Sequence, residues 1–373
     1  MPDIKNILIT PQILIQIAEL DEFKGSWNGF IRLQPQQLKV LKKVSTIESI
    51  GSSNRIEGNK LSDAQVEELL SRINKTSFKS RDEEEVAGYS DLMNTVFEDY
   101  KAIPLTENYI KQLHRILLKY ARKDERHRGE YKKLSNSVAA FDSDGKEIGI
   151  VFETASPFDT PRFMEELIEW TRKNLNDPFL HPLIVIGIFI VHFLAIHPFQ
   201  DGNGRLSRAL TAMLLLKSGY AYVPYSSIES IIEINKEGYY RSLRRTQKNI
   251  WKGKIDYEPW LSYFLTVLQK QKRNLEAKIK EMTADDSSLI IREKSPAYGK
   301  PPVKDKQPDF DKLGRNALAV LALFDDKKEW SVPEIASTLK MNINTAAKTV
   351  KVLVEKSYLT KRGATKGAWY EKK

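Results

Sequence analysis

The chain has 373 residues, 41% of them hydrophobic, and a formal charge of +10 at neutral pH; it exceeds one typical domain, can bury a sizeable core and divides into two or three units. With no cysteine, disulfides and thiolate zinc sites are excluded, which fits a cytoplasmic setting. The longest apolar run, Leu183 to Ile196, is too short to span a bilayer and contains His192, so it reads as a buried helix and no membrane contact is expected. At the N-terminus, MPDIKNILITPQILIQIAEL lacks a basic start followed by an uninterrupted apolar stretch, and no secretory signal is read there. Residues 36–56 predict a helix, Ser62 caps a second through DAQVEELLSRI, and Glu83 to Asp99 and Thr106 to Ala121 predict two more. Between Leu134 and Thr154, SVAAFDSDGKEIGIVFE predicts two short strands joined at Asp-Ser-Asp-Gly. Helices follow over Pro161 to Asn174, Pro182 to Ile196 and Arg205 to Ser218, then through INKEGYYRSLRRTQ and from Tyr257 to about Met282. A proline-bearing, charged linker comes next. Beyond it RNALAVLALFDD predicts a helix, Ser331 caps VPEIASTLK, Asn344 or Thr345 opens AAKTVKVLVEKSYL, and TKRGATKGAWYEKK predicts a glycine-turned hairpin.

The twelve residues His197 to Arg208, HPFQDGNGRLSR, carry the densest chemistry. His197 is the group there whose ordinary pKa lies near neutrality, which makes it the natural acceptor for a hydroxyl proton. Asp201 supplies a hard oxygen of the kind Mg²⁺ takes when it also binds phosphates. Gly202, Asn203 and Gly204 allow successive N–H groups to converge on an anion. The helix that follows presents its N-terminus, with Arg205 and Arg208 on the first turns, to a phosphate. Phe199 and Leu206 read instead as apolar anchors of the loop. The remaining histidines, His114, His127, His181 and His192, show no metal-ligand spacing and default to structural or solvated roles.

This segment resembles the signature of Fic domain proteins, HPFx(D/E)GNGRxxR, at every specified position. The resemblance implies transfer of AMP from ATP to a Ser, Thr or Tyr hydroxyl of a target protein, with pyrophosphate leaving. It makes His197 the general base and Asp201 the holder of Mg²⁺ against the α- and β-phosphates. Asn203 and neighbouring N–H groups would take the α-phosphate, Arg205 the β-phosphate and Arg208 the γ-phosphate. Phosphoryl-type transfer depends mainly on positioning and charge neutralisation, and the motif supplies cations, dipoles and one base.

Upstream, Ser53-Asn-Arg-Ile-Glu57-Gly58 fits (S/T)xxxE(G/N), which in Fic proteins marks an inhibitory helix. Ser53 and Glu57 share a helix face, and Gly58 can end the helix in a left-handed conformation. The resemblance pairs Glu57 with Arg208, obstructing the γ-phosphate, so a resting enzyme of low activity is expected; in some relatives the same glutamate reverses the reaction by orienting water. It also implies that the hairpin is a flap to which a target segment adds as a strand. Tyr239, Tyr240 and Gln247 fall where adenine and ribose contacts are expected, with core packing as the alternative for the tyrosines.

The implied fold is mainly α: a Fic-type helical bundle with a β-hairpin flap and a small C-terminal winged-helix domain. Its parts are an N-terminal helical region with the inhibitory helix (1–100), the catalytic core (101–283), a linker (284–308) and the winged helix (309–373). From residue 301 onward, fifteen Lys and Arg stand against nine Asp and Glu, which invites nucleic-acid contact. In DNA-binding winged helices, Thr345, Lys348 and Lys351 would lie near phosphates or bases, and Lys361, Arg362 and Lys366 near the backbone. Protein contact by this domain, self-modification and a homodimer are also compatible with the pattern. The alternative to an enzyme is a DNA-binding regulator whose Fic site senses nucleotide or modifies only itself; intact His197 and Asp201 favour the enzyme.

Overall fold

The computed structural model describes residues 2, 7–31, 35–72, 78–141, 147–253, 255–293, 317, 320, 321, 323, 324, 329–339, 341–355, 358–362 and 369–372. The chain divides into two compact units, Met1–Lys294 and Ser295–Lys373.

The first unit is a helical bundle built round one apolar helix. In chain order its helices are α1 (Pro11–Ile31), α2 (Pro35–Ile56), α3 (Asp63–Arg72), α4 (Arg81–Asp99) and α5 (Glu107–Leu117). A hairpin of β1 (Ser137–Phe141) and β2 (Glu147–Glu153) precedes α6 (Thr160–Leu175), α7 (Pro182–Ile196), α8 (Asn203–Lys217), α9 (Ile228–Ile234), α10 (Lys236–Gln247) and α11 (Glu258–Glu293). Helix α7 is apolar all round, and every residue from Leu183 to Ile196 is buried. Such a helix finds no polar face to turn to water and becomes the centre of its bundle. It packs against α6, α8, α10 and α11. Pro182 at its first turn has no N–H to leave unpaired, and the His181 ring accepts the Leu183 N–H at 3.3 Å.

Helix α2 runs beside α4, α8 and α9 and carries the Ser53–Glu57 segment to the start of α8. Ser80 and Thr106 cap α4 and α5 by accepting the N–H groups of Glu83 and Tyr109. Ser62 and Gln65 close a reciprocal cap on α3, with Ser62 N–H donating to Gln65 Oε1 at 2.9 Å.

Several boundaries differ from the sequence expectation. Helix α1 was not anticipated: Ile13, Ile17, Leu20, Phe23 and Trp27 are buried, but exposed Leu14 and Ile15 blur the stripe. Helix α5 stops at Leu117 and a 3₁₀ turn follows at Arg122–His127. Ser227 caps a further helix, α9, that the pattern did not announce. Helix α11 passes the expected end at Met282 and the expected linker start at 284, continuing to Glu293; residues 294–308 lie outside the described residues. The hairpin strands pair antiparallel, from Ser137 with Glu153 to Phe141 with Glu147, while their Asp-Ser-Asp-Gly turn lies outside the described residues.

In the second unit, residues 317, 320, 321, 323 and 324 are helical, followed by β3 (Glu329–Ser331), α12 (Val332–Thr338), α13 (Ile343–Glu355), β4 (Leu359–Arg362) and β5 (Trp369–Lys372). The sheet order is β3-β5-β4, all antiparallel. The expected hairpin is therefore widened by β3, whose three residues are too few to register as a strand pattern. Ser331 and Glu334 form a capping box. Val320, Ile335, Ala346, Val350 and Leu353 make the core of this unit.

Candidate active site

The end of α7 sets the His197 imidazole. His197 leaves the helix with φ 53° and ψ 60°, and among the described residues no other non-glycine has positive φ. Such a conformation costs on the order of 1 kcal/mol or more and persists where surrounding contacts impose it. Its Nδ1 lies 3.3 Å from the Leu194 carbonyl, so Nδ1 carries the proton and Nε2 keeps a lone pair. Burial, followed by the nearby Lys132 cation, pushes the ring pKa down to about 4 against the opposing pull of the Leu194 carbonyl, Glu57 and Asp201. At neutral pH the ring is an uncharged acceptor. It lines a cavity of about 130 Å³ with Glu57, Gln200, Asp201, Tyr240 and Arg244.

The loop after His197 is held by its own side chains. Phe199 is buried; its N–H donates to Asn203 Oδ1 at 2.9 Å, and its carbonyl accepts from Asn203 Nδ2 at 2.7 Å. The Asn203 amide thus braces Phe199 through its Oδ1 and one of its two Nδ2 hydrogens. His114 stacks on Phe199 with ring centroids 3.8 Å apart, accepts the Gly129 N–H at Nδ1 and donates from Nε2 to the Asp201 carbonyl, each at 2.9 Å. Burial lowers its pKa to about 4, which keeps this neutral bonding pattern. Its role is structural, and what it shapes is the motif loop.

Gly202 takes φ 80° and donates its N–H to Asp201 Oδ1 at 2.6 Å. Helix α8 then begins at Asn203, two residues ahead of the expected start. An α-helix leaves its first-turn amides without intrahelical acceptors, which makes this terminus an anion site. The Glu57 carboxylate lies against it: a side chain at position 204 would collide with that carboxylate.

Glu57 follows the last turn of α2, and Gly58, with φ 98°, turns the chain away. Glu57 Oε1 accepts from Arg208 Nη2 at 2.8 Å. Ser53 holds the same guanidinium, its Oγ accepting from Nε at 2.8 Å and its carbonyl from Nη2 at 2.9 Å. Burial would raise the Glu57 pKa, but the Arg208 and Arg205 cations outweigh it and hold the carboxyl below its ordinary value. Arg208 is 4% exposed in its side chain and Glu57 32%, so solvent reaches the carboxylate and hardly touches the guanidinium.

Asp201 Oδ2 lies 3.1 Å from Arg81 and 3.5 Å from Arg205. Burial acts to raise its pKa, and Arg205, the Gly202 N–H and Arg81 together lower it. Arg205 is buried and also stands 3.5 Å from Glu85. Tyr239, Tyr240 and Gln247 of α10 line the same cavity. Tyr239 is buried and packs edge-on against Trp260, a core arrangement, while Tyr240 is half-buried. Gln247 donates from Nε2 to the Val191 carbonyl at 3.1 Å. Thus His197, Asp201, Gly202, Asn203, Gly204, Tyr239, Tyr240, Gln247 and Glu57 line one cavity, with Arg205, Arg208 and Ser53 adjoining it through Asp201 and Glu57. Arg81, Glu85, Lys132, Gln200 and Arg244 were not singled out. Gln200 could have been, since it lies inside the motif; an arginine or lysine more than sixty residues upstream gives no local signal of the contact it makes.

Residues 104–215 match the model of the Fic/DOC family. This segment is a Fic/DOC domain. The chain is 29% identical over 207 residues to a protein adenylyltransferase Fic of Drosophila grimshawi, covering 55% of this chain and 40% of that protein. With the Drosophila melanogaster protein of the same description it shares 29% over 185 residues, covering 49% and 35%. The chain thus spans about two fifths of the length of the curated relatives it matches. A Fic domain containing signaling protein of Bacteroides thetaiotaomicron is similar in structure, with TM-score 0.56 and 28% identity over 70% of this chain and 95% of that one. A Fic family protein of Desulfovibrio desulfuricans shares the fold over 99% of this chain and 98% of its own, with TM-score 0.56 and 21% identity. The first unit is accordingly a mainly α Fic-type bundle with a β-hairpin. Among the described residues, no helix is long and apolar enough to cross a membrane.

Proposed function

We propose that the chain is a self-restrained protein adenylyltransferase that moves AMP from ATP to a Ser, Thr or Tyr hydroxyl of a target protein or of itself. His197 Nε2 takes the hydroxyl proton as the hydroxyl oxygen attacks the α-phosphorus, and the bond to pyrophosphate breaks. The amides at the start of α8 face the α-phosphate oxygens, and Arg205 and Arg208 neutralise the outgoing pyrophosphate. Tyr240 and Gln247, with Tyr239 behind them, border the nucleoside. The hairpin β1–β2 receives the target segment by strand addition.

Asp201 suits Mg²⁺. Among the described residues no group of three His, Asp or Glu side chains could hold a metal alone, and Mg²⁺ at nucleotide sites is held by one or two carboxylates, with phosphates and water completing its shell. The Asp201 carboxylate, 36% exposed and facing the cavity, offers that single hard ligand. Bound there, the ion would neutralise phosphate charge.

The observation that carries the reading is the Glu57–Arg208 pair, whose carboxylate lines the same cavity as the His197 ring. A carboxylate occupying both an arginine and a helix N-terminus takes the place of a phosphate, which is how a nucleotide site is held at rest. With Mg²⁺ and labelled ATP, Glu57→Gly should raise self-labelling and label bands in a lysate, and adding His197→Ala should abolish both. Unchanged labelling in Glu57→Gly would remove the inhibitory assignment; labelling that survives His197→Ala would remove the base.

A second reading concerns residues 309–373. The elements β3, α12, α13, β4 and β5 with sheet order β3-β5-β4 support a winged helix. Lys348 and Lys351 are exposed one turn apart on α13, beside half-buried Thr345, and Lys361 is exposed on β4. Arg362 is engaged by Glu371 at 3.2 Å, and Lys366 lies outside the described residues. Duplex DNA is the ligand this face favours. A mobility shift of the full chain that weakens with salt and with Lys348→Ala/Lys351→Ala would support it, and no shift at low salt would assign the domain to protein contact.

A further inference from the structure

One buried cation approaches the site from behind. Lys132 is 3% exposed, and its ammonium donates to the Ile196 carbonyl at 2.9 Å, to Asn136 Oδ1 at 2.8 Å and to Thr154 Oγ1 at 2.8 Å. Its own N–H donates to the Pro198 carbonyl at 2.8 Å. Ile196 and Pro198 are the two neighbours of His197, so a single residue grips the backbone on both sides of the base. The other two acceptors are the roots of the hairpin: Asn136 directly precedes β1 and Thr154 directly follows β2. Asn136 also donates from Nδ2 to the Phe199 carbonyl at 2.9 Å, and the Ala155 N–H reaches the Ala195 carbonyl at 3.3 Å.

A buried ammonium with only neutral acceptors is an expensive way to fill space. Burial pushes its pKa down to about 8. A methionine would fill the same volume without that cost, so the charge and its three donors call for a reason beyond packing. The left-handed conformation of His197 supplies one, because a strained residue needs its flanking carbonyls held.

We propose that Lys132 is a positioning residue for the transfer, fixing the His197 ring relative to the hairpin roots and so relative to a hydroxyl presented along the hairpin. This rests on the adenylyltransferase reading above. Lys132 touches neither nucleotide nor target; it sets the distance between base and hydroxyl, and transfer rates fall steeply with small misplacements.

The test compares Glu57→Gly with Glu57→Gly/Lys132→Met in full-length protein, using labelled ATP and Mg²⁺. The expected result is a kcat lower by on the order of 100-fold, with the KM for ATP within about twofold, since no nucleotide-facing group has changed. The acidic limb of the pH–rate profile should also move toward neutrality. The charged groups facing His197 are Lys132, Glu57 and Asp201, with Arg244 on the same cavity wall; Glu57 is absent from both variants and Asp201 and Arg244 are common to them, so the lost ammonium alone relieves the downward pressure on the ring. Glu57→Gly/Thr154→Val, which removes one acceptor and leaves the lysine, should show a smaller kcat loss with the same unchanged KM, and stands in should Lys132→Met not fold. Equal kcat in all three, or a loss shared equally by ATP affinity, would overturn the positioning role. No labelling in Glu57→Gly itself would instead overturn the transferase reading, and this inference with it.

Discussion

Replacing Glu57 by Gln removes one negative charge and little volume. In the structure Glu57 Oε1 lies 2.8 Å from Arg208 Nη2, while Ser53 holds the same guanidinium through two further bonds. Arg208 therefore stays in place when the carboxylate is neutralised, and the perturbation falls on the incoming anion. A γ-phosphate drawn to Arg208 would come within about 5 Å of the Glu57 carboxylate; two unit charges at that separation repel by about 3 kcal/mol at an effective dielectric of about 20. The Glu57 side chain is 32% exposed, and solvent screening reduces this to about 1.5 kcal/mol. ATP should thus bind about tenfold more tightly to Glu57→Gln. The measurement is equilibrium binding of Mg²⁺·ATP in a His197→Ala background, which prevents turnover. Equal affinities with and without the carboxylate charge, together with a gain only for Glu57→Gly, would show that Glu57 obstructs by bulk and would refute the electrostatic account.

Arg81 is 49% exposed and holds Asp201 at 3.1 Å, so Arg81→Ala should lower the Mg²⁺ concentration for half-maximal labelling by no more than about fivefold, the worth of an exposed ion pair; a rise would show that Arg81 aids the metal. Stability should fall in acid. Burial holds His114 and His192 at about 4 and about 3, below the ordinary 6.5, so the unfolded chain takes up their protons first. The stability they protect is present above pH about 6.5 and is lost as pH falls, by about 1.4 kcal/mol per pH unit for each ring. Thermal unfolding should show Tm dropping between pH 6.5 and 4.5, and a flat Tm across that range would contradict the neutral, buried assignment of both rings.

Much of the bundle was legible because helical capping and apolar periodicity are local. Ser62 and Thr106 sit where acceptors for helix N–H groups are needed, as Ser331 does in the second unit, and α7 was evident from fourteen successive residues with no polar face. Helices α1 and α9 escaped because exposed Leu14 and Ile15 blur one pattern and the seven residues of the other are too short to show a period. In the site, the motif from His197 to Arg208 announced an imidazole beside a helix start, since backbone amides, arginines and an imidazole within a few turns need no distant partner to be recognised.

The sequence by itself determined which chemical groups stand at the start of α8 and that Ser53 and Glu57, four residues apart at the end of α2, lie on one side of the chain, because both follow from helical geometry along a continuous chain. Only the tertiary structure decided that Glu57 meets Arg208, that Arg81 reaches Asp201 across 120 positions and that Lys132 braces His197 from both sides. Those contacts join residues whose separation along the chain carries no periodicity. They exist because α7, buried on every side, draws α6, α8, α10 and α11 around it, while α2 and α4 pack on α8, and charged side chains from remote segments are left facing one another across a small, poorly solvated space.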